Sequence, residues 1–218
     1  SGEAVLALLR HVEREAGELL SAFEVLSAGL QTTLQWRGCV EAPSGAWFND
    51  VVLLYRGGFL ATRSMARNAT VSSLVKGLFG TPTGWVVEWH GDGGFSEVPG
   101  TRSSLPNGLE VSEDERYVYL NVWIGNEVRK IERATGRVLA RRPVPMPDNS
   151  AWDSDGRLLV ASHVGGLRAA LGCDPGARSG NCGLAYDVLS LDPDTLEGSV
   201  VYGNEGPPMG AVTVARRL

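Results

Sequence analysis

Pro106-Asn107-Gly108-Leu109-Glu110-Val111, then Ser112-Glu113-Asp114-Glu115-Arg116, then Tyr117-Val118-Tyr119-Leu120-Asn121 is the stretch that decides the fold. It reads as a short strand, a polar turn and a second apolar strand. The same grammar occurs twice more. Upstream, Phe48-Asn49-Asp50-Val51-Val52-Leu53-Leu54 is followed by the turn Arg56-Gly57-Gly58 and by Phe59-Leu60-Ala61-Thr62. Downstream, Pro147-Asp148-Asn149-Ser150-Ala151-Trp152 is followed by Asp153-Ser154-Asp155-Gly156 and by Arg157-Leu158-Leu159-Val160-Ala161-Ser162-His163. From the Asn to the first strong apolar residue of the second strand the spacing is 10, 11 and 9 positions, at Phe59, Val118 and Leu158.

Asn49, Asn107 and Asn149 lie 58 and 42 positions apart. A repeat of about 40–50 residues suits one four-stranded blade of a β-propeller. Ala66–Gly80 lengthens the first interval. Within it Val71, Leu74, Val75 and Leu78 fall at helical spacing and Gly80 offers a stop, which predicts a short helix. That segment is either an insertion packed by its own apolar side chains or a lid over a pocket mouth. Elsewhere short runs rich in Val, Leu, Tyr and Trp alternate with Gly, Asp and Pro turns, the all-β pattern. The expectation is an all-β chain forming a single β-propeller domain over 1–218. It carries a 66–80 insertion and a 173–182 loop.

The chain of 218 residues is 43% apolar, enough for a substantial core. A net charge of −5, with both signs mixed along the chain, excludes a broad nucleic-acid-binding surface. No apolar window is long enough for a transmembrane helix, and Ser1-Gly2-Glu3 lacks the basic start of a signal peptide. Cys39 sits in an apolar strand-like stretch and is expected to be a buried thiol. Cys173 and Cys182 flank a Gly-rich loop, as a disulfide or as two unpaired thiols. A disulfide would place the protein in a periplasmic or secreted setting, and its absence in a cytoplasmic one.

In a propeller the innermost strands start near a common axis, so polar residues at those starts meet. Here they are Asn49, Asn107, Asp148 and Asn149. Amide and carboxylate oxygens are hard ligands that suit Ca²⁺, and no Cys or His cluster competes for a softer metal. Asn and Asp also precede strands for purely local reasons. If Asn49 faces the axis, strict alternation turns Asp50 the other way, leaving Asp148 as the carboxylate ligand.

At these residues the chain resembles the regucalcin/gluconolactonase superfamily, and within it the Asp148-Asn149 pair resembles the paraoxonase-like arylesterases. The resemblance implies a β-propeller of the six-bladed type, with about four to five blades present in this chain, and a central calcium held by Asn49, Asn107, Asp148 and Asn149. It implies that His163 lies near the pocket and that His11, closing Leu8-Leu9-Arg10-His11, is the outer member of a histidine dyad. Three features depart from it. A first-blade Glu ligand and the inner histidine would both precede Ser1, and the closing strand would follow Leu218. The implied activity is hydrolysis of small lactones or activated esters, with calcium polarising the carbonyl and His163 assisting the attacking water. Trp47, Leu74, Phe79 and Trp123 are candidates to line the pocket. A non-catalytic binding or scaffold propeller is the alternative. Neither Gly-x-Ser-x-Gly nor a phosphate-binding glycine loop is present. Oligomeric state is not readable, although an incomplete ring offers edges for pairing with another chain.

Overall fold

The computed structural model describes residues 4–10, 19–28, 31–91, 93–172, 182–206 and 210–217, with side chains from residue 38 onward except 74 and 171. The strands form sheets in chain order. The first sheet is β1 (Ala4–Arg10), β2 (Leu19–Ala28) and β3 (Gln31–Glu41). The second is β4 (Ala46–Leu53), β5 (Phe59–Ala66), β6 (Trp85–His90) and β7 (Gly94–Glu97), with helix α1 (Val71–Leu78) inserted between β5 and β6. The third is β8 (Pro106–Val111), β9 (Tyr117–Val122), β10 (Glu127–Glu132) and β11 (Val138–Pro143). The fourth is β12 (Pro147–Trp152), β13 (Leu158–His163), β14 (Tyr186–Leu191) and β15 (Gly198–Asn204), with helix α2 (Gly166–Leu171) after β13. All strand pairs are antiparallel meanders, and β1, β4, β8 and β12 neighbour one another in that order. Three four-stranded sheets and one three-stranded sheet, joined at their first strands, make this a β-propeller architecture.

Burial on both faces of a sheet explains why the second strand of each unit reads as a nearly unbroken apolar run. On β9, Val118, Leu120 and Val122 enter a core shared with Leu60 and Val86 of the second sheet. Between them Tyr119 points the other way, into a core with Leu158, Val160 and Leu189 of the fourth sheet. On β5, Leu60 joins the former core while Phe59 and Ala61 pack with Phe48 and Val87 on the opposite face. Leu120 is fully buried, so its truncation to Ala removes about 2–5 kcal/mol.

Two strands and one helix go beyond the expected elements. β11 is charged and alternates exposed with half-buried residues, because it is an outermost strand with solvent on one side. β7 is a short edge of four residues. One local expectation is corrected. Cys39 is exposed rather than buried, since it lies near the end of β3. On the 66–80 insertion, Val71 (77%), Leu78 (51%) and Phe79 (85%) are exposed. Thr70 caps α1 together with Ser73. At Gly77 the helix rests against Thr83, Ser104 and Ile124, which places it beside the loop that enters β8. His11 and Cys173 lie outside the described residues.

Candidate polar site at the starts of the innermost strands

Each innermost strand of the three four-stranded sheets carries the same irregularity at its start. On β4, Phe48 pairs with Arg63 and Val51 with Ala61, so Asn49 and Asp50 together oppose Thr62. On β8, Pro106 pairs with Val122 and Leu109 with Leu120, so Asn107 and Gly108 oppose Asn121. On β12, Pro147 pairs with Ser162 and Ser150 with Val160, so Asp148 and Asn149 oppose Ala161. One extra residue in each strand is a β-bulge, which re-aims side chains and frees backbone donors. The freed donors find partners off the ladder: Asp50 N–H bonds Thr62 Oγ1 at 2.9 Å, and Asn149 N–H bonds the Thr213 carbonyl at 2.9 Å. Leu105 and Met146, just before the prolines that open β8 and β12, have left-handed φ of 56° and 35°. Pre-proline residues disfavour such turns, so this backbone is held against its preference.

The bulges decide which candidates are buried. Asn107 (7% exposed) and Asp148 (8%) are inside, Asn149 is half-buried and Asn49 is exposed. Asn107 hydrogen-bonds the Asp148 carboxylate. The amide oxygens of Asn107 and Asn149 are buried without a hydrogen-bond partner. Asn121, from the opposing strand, donates to the Asp148 carbonyl at 2.5 Å and to Ser150 Oγ at 2.8 Å. Gly108 is required here: a Cβ would lie 2.2 Å from the Asp148 carbonyl oxygen and 2.6 Å from Asn149 Cα.

Asp50 does not turn away as strict alternation predicts. Its carboxylate accepts Val51 N–H and Leu109 N–H, both at 2.8 Å, and so bridges β4 to β8. The extra bulge residue resets the alternation after Asn49. Burial pushes the Asp50 carboxyl up to about 6, with the two backbone donors pulling it down. Asp148 is pushed up to about 7 by burial and by the Asp50 charge, against the Asn107 hydrogen bond. Glu110 also rises to about 7, through burial and Asp50. Three carboxyls thus converge on the inner strands without an Arg or Lys partner among the described residues. The ionic neighbour of Asp148 is His163, whose Nε2 lies 3.5 Å from Asp148 Oδ2.

His163 is 7% exposed at the end of β13. Its Nε2 is 3.0 Å from the Val212 carbonyl, and its Nδ1 is 3.4 Å from Trp123 Nε1. Burial lowers its pKa, against the Val212 bond. His90 is exposed and pairs with Glu88, apart from this cluster. Of the residues considered for a pocket lining, Trp47 (43%) and Phe79 (85%) are exposed rather than core, and Trp123 is half-buried against His163.

A cavity of about 750 Å³ opens at the other ends of the inner strands, between Val52, Glu110, Tyr119 and Trp152. None of Asn49, Asn107, Asp148 or Asn149 lines it. Among the described residues, no three His, Cys, Asp or Glu side chains cluster as a metal site. Sequence reasoning turned Asp50 away and missed Asn121, and it offered Trp123 as pocket lining without its contact to His163. The signal for Asp50 was its place in the repeated bulge, while Asn121 reaches the site from the opposing strand and carries no local mark.

No family model matches the chain, and no curated protein matches it. Solved structures do. A luciferin-regenerating enzyme is 16% identical, with 91% of this chain and 62% of that one covered at a TM-score of 0.51. A putative gluconolactonase is 14% identical, with 89% and 62% covered at a TM-score of 0.50. Regucalcin from Agrobacterium tumefaciens, described as a calcium-binding protein, is 18% identical, with 91% and 59% covered at a TM-score of 0.48. The chain spans about three-fifths of the length of these proteins. At such identities the likeness is one of fold: the chain is a β-propeller built like those of the luciferin-regenerating enzyme and the putative gluconolactonase.

Proposed function

We propose that this chain is the site-bearing part of a calcium-dependent hydrolase acting on lactones or activated esters. The observation that carries the reading is the pair of buried, unpartnered amide oxygens on Asn107 and Asn149, flanking the buried carboxylate of Asp148. Such oxygens cost free energy unless a cation or donor meets them. Their chemistry is that of hard-cation ligands, so the donor set fits calcium. Asn107, Asp148 and Asn149 would hold the ion, with Asn49 reaching it from the exposed side. When bound, calcium supplies Lewis-acid polarisation of a carbonyl oxygen.

The chain's own residues do the rest. Asn107 bonds the Asp148 carboxylate, and the His163 ring lies beside it with Nε2 at 3.5 Å. Trp47 and Phe79 offer exposed apolar surface to the body of a small substrate. His163 stands beside the site, and His11 keeps the outer-dyad role only by resemblance. The Asp148-Asn149 pair favours an arylesterase-like substrate range.

A non-catalytic binding propeller is the second reading, favoured by the single carboxylate among the proposed ligands. Calcium should raise the melting temperature of the chain, and Asp148→Asn should abolish that shift. Turnover of a simple lactone or of phenyl acetate that needs calcium and is lost in Asp148→Asn separates enzyme from scaffold. A calcium shift without turnover selects the scaffold, and no shift at all rejects the metal site.

A further inference from the structure

The indole of Trp123 meets the imidazole of His163 edge-on, with ring centroids 6.4 Å apart and planes at 81°. An indole N–H can only donate, so the His163 Nδ1 it faces at 3.4 Å must carry the lone pair. The imidazole proton then belongs on Nε2. There the Val212 carbonyl, which can only accept, lies at 3.0 Å, with Asp148 Oδ2 farther off at 3.5 Å. The Trp123 and Val212 bonds demand the same tautomer. Trp123 sits in the turn after β9, tied by its backbone N–H to the Leu105 carbonyl at 3.0 Å. His163 closes β13, and its backbone N–H bonds the Met146 carbonyl at 3.2 Å. Both anchors are the left-handed residues that open the inner strands β8 and β12, so both rings are referenced to the backbone that presents Asn107 and Asp148.

We infer that Trp123 is a positioning residue that, with the Val212 carbonyl, fixes His163 as the Nε2–H tautomer, making the imidazole a fixed wall of the site rather than its proton acceptor. In this state Nε2 has no lone pair to offer an attacking water, and Nδ1 is covered by the indole. His163 therefore acts by keeping its Nε2–H edge, bonded to Val212, 3.5 Å from the Asp148 carboxylate. A group that orients a metal-binding carboxylate is typically worth about 10–100-fold in metal affinity or activity. The tautomer assignment stands by itself. Its consequence for calcium rests on the function proposed above.

The test is Trp123→Phe, which keeps the ring and removes the N–H. Imidazole nitrogens are resolved by ¹⁵N NMR of histidine-labelled protein at about pH 8, where the ring is neutral. The wild type should show one tautomer with the proton on Nε2, and Trp123→Phe, left with the Val212 bond alone, should show a measurable share of the Nδ1–H form. Calcium affinity, read by titration calorimetry, should fall about 10-fold in Trp123→Phe, with the calcium-free melting temperature close to wild type. A proton on Nδ1 in the wild type, or an unchanged spectrum in the variant, overturns the proposal. So does a mixed tautomer with unchanged calcium affinity, because the wall would then not bear on Asp148. If the wild type binds no calcium, the proposed function fails while the NMR result still decides the lock.

Discussion

β4 and β12 begin with the same bulge but present opposite residues. On β12 the first bulge residue, Asp148, is buried and the second, Asn149, leans out; on β4 the first, Asn49, is exposed and the carboxylate of the second, Asp50, is drawn in. β8 follows β12, with Asn107 inside. β8 and β12 enter through a left-handed residue and a proline, Leu105-Pro106 and Met146-Pro147, whereas β4 enters through Trp47-Phe48 with a second register shift. β12 is also covered by the segment carrying Val212 and Thr213, whose carbonyls meet His163 and Asn149. A repeated local motif thus yields a ligand-like oxygen at two strands and an inter-sheet bridge at the third. The difference lies in how the chain enters the strand and what lies across it.

The contrast can be broken most severely at Gly108. Gly108→Ala forces β8 from β12, so a loss of about 3 kcal/mol is expected, together with loss of any calcium response. Thermal unfolding with and without calcium reads both. Next comes Asp148. In the metal-free protein its folded pKa of about 7 exceeds the ordinary value of 3.8, so between these values the folded state binds more protons than the unfolded one. Stability then falls as pH rises through that window, and Asp50 and Glu110 act in the same direction. Denaturant titrations at about pH 5 and pH 8 should show a chain more stable at the lower pH, by roughly 1–3 kcal/mol. Asp148→Asn should flatten that slope, and calcium should reverse it.

Asp50→Asn sharpens the comparison further. An amide cannot accept from both Val51 and Leu109, so roughly 1–2 kcal/mol of stability should be lost. Calcium affinity should change far less than in Asp148→Asn. The smallest effect is at the exposed partner. Asn49→Ala should shift stability by less than about 0.5 kcal/mol, and a calcium affinity equal to wild type would remove Asn49 from the ligand set.

The sequence carried the repeat legibly. Strand–turn–strand units at Asn49, Asn107 and Asn149 became β4–β5, β8–β9 and β12–β13, because turn residues and two-residue alternation are local properties. α1 was legible from Val71, Val75 and Leu78, although their spacing did not tell that the apolar face is exposed. β11 was not legible, since its half-buried face includes Arg142, which bonds the Leu196 and Gly198 carbonyls, and so shows no apolar alternation.

By itself, then, the sequence determined an all-β repeat and the polar residue types that start its inner strands. Only the tertiary structure decided that Asn107 and Asp148 are buried, that Asn49 is not, that Asp50 bridges β4 to β8, and that the Trp123 indole faces His163. One inserted residue in a strand reverses which side chains face the axis. Contacts between strands 40 residues apart, such as Trp123 with His163, leave no periodic trace in the chain.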